Sequence, residues 1–144
     1  MKRIAEAVWN GSGTKGSGTL TTPKSGAFTD LPYSVKLRFE NEDGTKGTNP
    51  EELIAAAHAG CYAMALSVAL EKNGFTADSI ETKATLSLDQ VDGGWAITKS
   101  ALTLEAKVPD ISDDKFDEIA NGAKEGCPVS KLLDAEITLD YTLN

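Results

Sequence analysis

The sequence predicts an α+β fold, because one long uncharged segment is flanked by segments in which apolar and polar residues alternate. The uncharged segment, residues 53–70, is long enough for a helix of several turns. The alternating segments on either side are typical of strands with one buried face. A length of 144 residues suits one domain with a sizeable core, so we expect residues 1–144 to form a single domain.

The charge and the cysteine content limit the classes of partner and compartment. A formal net charge of −8 argues against nucleic acid or an anionic membrane as the main partner. Lys2 and Arg3 are not followed by a long apolar run, so we expect no secretory signal. We also expect no membrane span, because the uncharged segment is rich in alanine and contains His58 and Ser67. Two cysteines without a signal indicate a reducing compartment, the cytoplasm.

A glycine-rich turn follows the first strand pattern. Residues 4–9 mix apolar and polar side chains as a short strand does, and TLTT after the turn favours a second strand. Between them, Gly11, Gly13 and Gly16 formally match a dinucleotide-binding loop, but such a loop requires a helix after it. The β-favouring run that follows predicts a hairpin instead.

The segment YSVKLRFE is predicted to be a strand, since its apolar and charged residues alternate. Val35, Leu37 and Phe39 would share the buried face, and Arg38 would lie on the opposite, solvated face. Residues 41–48 then form a polar connector that contains two glycines.

Helix-start and helix-stop residues bound the long uncharged segment. Asn49 can cap the first turn, and Pro50 suits the first helical position. Asn73 or Gly74 can take the left-handed conformation that ends helices. Because this helix has no charged face, we expect it to be buried on most sides.

The second half of the chain predicts two long strands, two helices and a final strand. The long strands flank the turn Asp92-Gly93-Gly94, which indicates a hairpin. Ser112 can cap the first helix, and Pro128 suits the first turn of the second. The predicted elements are a strand from Ser79, a return strand at residues 95–108, helices at residues 112–126 and 127–133, and a strand Glu136–Leu143.

The two cysteines, Cys61 and Cys127, carry the chemistry. They lie 66 residues apart, so they form no local redox motif. A metal site needs about four ligands. The chain has two cysteines and one histidine. We therefore expect no metal, and redox or nucleophilic thiol chemistry fits better.

The surroundings of the two thiols differ. Cys127 lies at the start of the short helix, where a thiolate is favoured. Cys61 lies in the middle of the long helix among alanines, which should raise its pKa, so its ionisation needs a cation from elsewhere. His58 is either a core or interface histidine or a base. Arginine is the better cation, because it stays charged when buried.

The long helix also suggests a dimer. Glu51 and Cys61 are roughly 15 Å apart along its axis, so they cannot meet within one straight helix. They could meet across a two-fold axis if two copies of the helix packed antiparallel, and small residues four apart, such as Ala56 and Gly60, permit close packing. We therefore hypothesise a homodimer with sites shared between subunits.

Several stretches together resemble the OsmC/Ohr family of thiol-dependent peroxidases, in particular its OsmC (osmotically inducible protein C) branch. These stretches are RFE, KGTNPEELIAAAHAGC, SLDQVDGGWAITK, GCPVSKLL and AEITLDYTL, and the match covers essentially the whole chain. The resemblance implies an α+β fold with a long buried central helix between antiparallel sheets, in an intertwined homodimer. It also implies reduction of organic hydroperoxides, and of hydrogen peroxide less well, in stress defence.

The family motifs assign roles by position. Cys61 resembles the peroxidatic cysteine and Cys127 the resolving cysteine, which form a Cys61 sulfenic acid and then a Cys61–Cys127 disulfide. Arg38 resembles the arginine that activates the thiolate, with Lys36 as the alternative, and Glu51 the glutamate that holds it. A lipoyl-type dithiol reduces the disulfide, and no bound cofactor is implied. Candidates for the lining of an apolar peroxide pocket, or equally for the core, are Phe39, Tyr62 and Met64.

Three other functions stay open on the residues alone. A sensor that uses the disulfide as a switch would react once with peroxide and stop. An interaction module with core cysteines would not depend on Cys61. Thiol-based acyl transfer is disfavoured, because the roles implied by the resemblance make no use of His58.

Overall fold

The computed structural model describes residues 1–40 and 47–144, which divide into two compact units, Met1–Leu53 and Ile54–Asn144. Most of the predicted connector, residues 41–46, lies outside the described residues. A single domain stays a prediction.

The elements are β1 (Glu6–Asn10), β2 (Ser17–Thr21), β3 (Leu31–Ser34), α1 (Val35–Phe39), α2 (Pro50–Lys72), β4 (Ser79–Val91), β5 (Gly94–Lys107), α3 (Asp113–Gly126), α4 (Pro128–Leu132) and β6 (Glu136–Leu143).

The first unit contains an antiparallel sheet in the order β1-β2-β3. The glycine-rich turn joins β1 to β2 with Asn10 opposite Ser17, so the predicted hairpin is confirmed. Within β2, a side chain at Gly18 would clash with the Val8 carbonyl oxygen and with the Tyr33 ring. Glycine at this position therefore allows Tyr33 to pack closely against the hairpin.

The strand prediction for residues 35–39 is wrong, because these residues form the short helix α1. The Ser34 hydroxyl accepts a hydrogen bond from the Leu37 amide at 3.0 Å. This cap starts a helical turn and competes with continuation of β3. Over only five residues, alternating apolar and polar side chains do not distinguish a strand from a short helix. Arg38 therefore lies on a helix rather than on the polar face of a strand.

The ends of α2 agree with the sequence. The Asn49 side chain accepts a hydrogen bond from the Glu52 amide at 2.8 Å, and Pro50 is the first helical residue. After Lys72 the chain turns at Gly74, whose φ of +84° is the left-handed conformation that ends helices.

The burial predicted for α2 is wrong for the single chain. Its fully buried side chains lie four positions apart on one face: His58, Tyr62, Leu66 and Leu70. Met64 and Val68, on the other side, are 68% and 46% exposed. Within the described residues α2 is the helix long and apolar enough to cross a membrane by length and composition, but its buried stripe is that of a core helix. An uncharged face of α2 is thus left open to solvent.

The second unit contains a mixed sheet in the order β4-β5-β6. The predicted hairpin between β4 and β5 is confirmed, but β6 runs parallel to β5, so the expected antiparallel pairing is wrong for this last strand. Helices α3 and α4 form the long crossover that a parallel pair requires. The Ser112 hydroxyl caps α3, as predicted. The buried core comprises Tyr62, Leu66, Leu70, Leu102, Leu104, Ala106, Val108, Phe116, Ile119, Ala120, Ala123 and Cys127.

Candidate active site

The two cysteines meet within the second unit. Cys61 lies in the middle of α2, and Cys127 is the residue that begins α4. Both are free thiols, and each alters the pKa of the other. Cys127 is fully buried, whereas Cys61 is half-buried. The two thiols therefore interact, and only Cys61 is partly open to the surface.

The two thiols have pKa shifts of opposite sign. Burial raises the pKa of the Cys61 thiol, the Val129 amide partly offsets this, and Cys127 raises it further. Burial also acts to raise the pKa of Cys127, but hydrogen bonds from the Ser130 amide, the Cys61 thiol and the Ser130 hydroxyl outweigh it and lower the pKa. The Cys127 side chain makes no regular capping hydrogen bond at the start of α4. Both directions agree with the sequence prediction.

An apolar cavity of about 560 Å³ adjoins Cys61. It lies between α2 and α3, and its volume falls within the usual range of ligand sites, roughly 300–1,000 Å³. Met64 lines it, as proposed from the sequence, whereas Tyr62 is a core residue. Phe39 belongs to the first unit and is 43% exposed. Further lining residues include Val68, Ile119, Gly122 and Pro128.

The other two predicted site residues, Arg38 and Glu51, form an ion pair within the first unit. The Arg38 Nη2 lies 2.6 Å from Glu51 Oε1, and Nε lies 3.1 Å from Oε2. This two-pronged contact is the strongest geometry for a guanidinium and a carboxylate. The side chain of Glu51 is 14% exposed and that of Arg38 34%. Glu51 therefore holds Arg38, rather than the alternative Lys36, while Arg38 keeps an accessible surface.

Sequence reasoning missed a buried polar network around His58. The His58 Nδ1 lies 2.7 Å from the Ser100 Oγ, and Nε2 lies 2.8 Å from the Ser130 Oγ. His58 and Ser100 are fully buried, and burial lowers the pKa of His58. His58 is thus a core histidine. No local pattern could reveal these contacts, because they join residues 42 and 72 positions apart.

Among residues 1–40 and 47–144, no three His, Cys, Asp or Glu side chains gather as ligands of a metal ion would. The expectation of a metal-free site stays a prediction.

Known proteins provide a further comparison. The OsmC-like protein family model matches residues 40–142. Peroxiredoxin OsmC of Escherichia coli (strain K12) is 55% identical over 143 residues, which cover 99% of this chain and 97% of that protein. Organic hydroperoxide resistance protein OhrB of Bacillus subtilis (strain 168) is 37% identical over 102 residues, which cover 70% of this chain and 73% of that protein.

The fold is also found in a solved structure. The crystal structure of an OsmC-like protein from Mycoplasma pneumoniae matches with a TM-score of 0.76 at 18% identity, covering 99% of this chain and 97% of that one. At this identity the likeness concerns the fold alone.

Proposed function

The chain belongs to the OsmC-like protein family, and we propose that it reduces organic hydroperoxides to alcohols through a Cys61 sulfenic acid and a Cys61–Cys127 disulfide. It is a cysteine-based peroxidase that serves in the defence against peroxides. The observation that carries the proposed mechanism is the contact between Cys61, which borders an apolar cavity, and the buried thiol of Cys127.

Access to peroxide assigns the attacking thiol. Cys127 has the lower pKa, but it is fully buried, whereas Cys61 borders the cavity. A reactive cysteine needs both the thiolate and a path to its substrate. Cys61 therefore attacks the peroxide, provided that a cation offsets the burial that raises its pKa.

Arg38 supplies that cation. In the first step the Cys61 thiolate attacks the terminal oxygen of the hydroperoxide, the O–O bond breaks, and the alkoxide leaves and takes up a proton. The guanidinium stabilises both the thiolate and the negative charge that develops on the leaving oxygen. Its two hydrogen bonds to Glu51 fix its orientation.

Cys127 resolves the sulfenic acid. Its sulfur attacks the sulfur of Cys61, the S–O bond breaks, and the hydroxide leaves as water with the proton that Cys127 gave up. The resulting disulfide must be reopened by thiol–disulfide exchange, and we propose a dithiol of the lipoyl type as the reductant, in the cytoplasm. No tightly bound cofactor takes part in this cycle.

The cavity accounts for a preference for organic over hydrogen peroxide. Apolar side chains such as Met64, Val68 and Ile119 would make contacts with the alkyl or aryl group of an organic hydroperoxide. Hydrogen peroxide has no such group and would make no comparable contacts. The cavity opens beside the thiol that reacts, so the apolar part of the substrate would be bound while its peroxide reaches Cys61.

The active protein is proposed to be a homodimer that shares its sites between subunits. Residues 53–70 carry no charge, yet Ala56, Ala57 and Gly60 of α2 are exposed in the single chain, which favours a second copy of α2 as the occupant of this face. Glu51 and Cys61 are also roughly 15 Å apart along the helix axis. The Arg38–Glu51 pair of one subunit would therefore serve Cys61 of its partner.

Mass spectrometry after treatment with one equivalent of cumene hydroperoxide tests the mechanism. The wild type should form a Cys61–Cys127 disulfide, and Cys127→Ser should stop at a Cys61 sulfenic acid that dimedone traps. Repeated turnover with dihydrolipoamide separates the enzyme from a sensor, which would react once. Unchanged peroxide consumption in Cys61→Ser would contradict the proposal.

A further inference from the structure

A buried chain of hydrogen bonds connects the resolving cysteine to the sheet. It runs from Ser100 on β5 through His58 on α2 to Ser130 on α4, with oxygen–nitrogen distances of 2.7 and 2.8 Å. Ser130 lies three residues after Cys127 on α4, and its hydroxyl helps to lower the pKa of the Cys127 thiol. The mechanism proposed above makes no use of His58, Ser100 or Ser130.

The direction of each bond follows from the donors available. Once Cys127 has lost its proton for the attack, the hydroxyl of Ser130 donates to its sulfur, because a thiolate can only accept. The Ser130 oxygen is then free to accept from Nε2–H of His58, and a neutral histidine that donates through Nε2 must accept at Nδ1. Ser100, fully buried, donates to that nitrogen. Each donor thus points along the chain toward Cys127.

We propose that His58 and Ser130 are positioning residues that aim a hydroxyl proton at the Cys127 sulfur and so prepare it to attack the Cys61 sulfenic acid. This inference rests on the proposed function, because it concerns its second step. The step itself is unchanged: an S–S bond forms, the S–O bond breaks, and the hydroxide leaves as water with the proton from Cys127. The histidine transfers no proton and touches neither substrate nor sulfur.

Other titratable groups also face Cys127. Cys61 and Tyr62, both on α2, interact with it. Cys61 is oxidised to the sulfenic acid in the first step. The phenol of Tyr62 stays protonated, since burial and Cys127 raise the pKa of Tyr62. After the first step, the Ser130 hydroxyl is therefore a side-chain donor that can still stabilise the Cys127 thiolate.

Single-turnover kinetics with three serine variants test the proposal. Ser130→Ala removes the hydroxyl donor, and Ser130→Thr keeps it. Ser79→Ala is the control, because it removes a hydroxyl that does not belong to this series of hydrogen bonds. With one equivalent of cumene hydroperoxide, oxidation of Cys61 should keep its wild-type rate in all three. Disulfide formation should slow about threefold to tenfold in Ser130→Ala alone, because one lost donor shifts the pKa by about one unit and thiol reactivity follows only part of that shift.

The pH profile gives a readout that loss of packing would not produce. The midpoint of the disulfide-forming step should rise by about one unit in Ser130→Ala and return to the wild-type value in Ser130→Thr. His58→Gln, which can place an amide donor near the position of Nε2, should lie closer to the wild type than His58→Leu. If His58→Leu does not fold, the two Ser130 variants still decide the question.

Two results overturn the proposal: a wild-type rate and pH profile of disulfide formation in Ser130→Ala, or equal slowing in Ser130→Thr, which would show that shape rather than the hydroxyl matters. Failure of the proposed function looks different. In that case the wild type itself would form neither a Cys61 sulfenic acid nor a Cys61–Cys127 disulfide.

Discussion

The two pairs of site residues contrast in charge and surroundings. Arg38 on α1 and Glu51 at the start of α2 form a partly accessible ion pair, while Cys127 belongs to the apolar core and Cys61 packs against it. Burial and the Cys127 thiol raise the pKa of Cys61, and the Val129 amide offsets this only in part. In the proposed mechanism, placement for disulfide formation and activation for attack on peroxide are therefore separate requirements, and different residues would supply them.

Removing the cation tests this separation with the largest expected effect. Arg38→Ala should lower the rate of Cys61 oxidation by cumene hydroperoxide about 100-fold, because a preorganised donor to the developing negative charge is lost. Stopped-flow kinetics under single turnover measure this rate. Lys36→Ala, on the same short helix, is the matched control and should react at the wild-type rate. Equal losses in both variants would point to damage of α1 rather than a role for Arg38.

Neutralising the carboxylate should have a smaller effect. Glu51→Gln keeps the shape of the side chain but weakens its hold on Arg38, so the first step should slow about tenfold, as is typical when a supporting partner is changed. The neighbouring Glu52→Gln preserves the hydrogen bond from the Thr48 hydroxyl and should have little effect. A normal rate in Glu51→Gln would remove the orienting role.

Filling the cavity beside Cys61 tests whether the surroundings of the thiol pair bind the organic group of the peroxide. A side chain at Gly122 would enter open space next to the cavity, so Gly122→Leu should raise the KM for cumene hydroperoxide several-fold and that for hydrogen peroxide little. The exposed Glu125→Leu on the same helix serves as the control. Equal changes for both peroxides would show that the cavity does not bind the organic group.

The smallest expected effect concerns stability rather than activity. Burial lowers the pKa of His58 in the folded state below the ordinary value of 6.5. The folded state therefore favours the neutral ring, and this contribution is complete above the unfolded-state pKa and is lost as the pH falls toward the folded-state pKa. Urea unfolding at about pH 7.5 and about pH 5 should show a loss for the wild type that His58→Gln reduces. An identical pH dependence in both would contradict a neutral, buried His58.

Local features of the sequence predicted most of the fold. The caps at Asn49 and Ser112 and the turn Asp92-Gly93-Gly94 act within a few residues, so α2, α3 and the long hairpin could be placed from sequence. Helix α1 was missed because one capping hydroxyl at Ser34 outweighs a short alternating pattern. The parallel pairing of β6 depends on contacts remote in sequence, which no local pattern encodes.

The same distinction applies to the site. The two cysteines and the direction of their pKa shifts follow from position on their helices, and the pairing of Arg38 with Glu51 follows from the resemblance to a known family. The contacts of His58 with two distant serines do not, since they form only when α2, β5 and α4 pack together. Burial of α2 was overestimated because absence of charge shows that a face needs a cover, but not that the same chain supplies it.

Complementation between two inactive subunits tests the central claim, that each site combines Arg38 of one subunit with Cys61 of its partner. Arg38→Ala and Cys61→Ser chains are co-expressed with different tags, and the mixed dimers are assayed with cumene hydroperoxide and dihydrolipoamide. Each mixed dimer contains one intact site out of two, so about half of the wild-type activity should return. Activity no higher than that of Arg38→Ala alone, in a preparation shown to contain mixed dimers, would contradict shared sites.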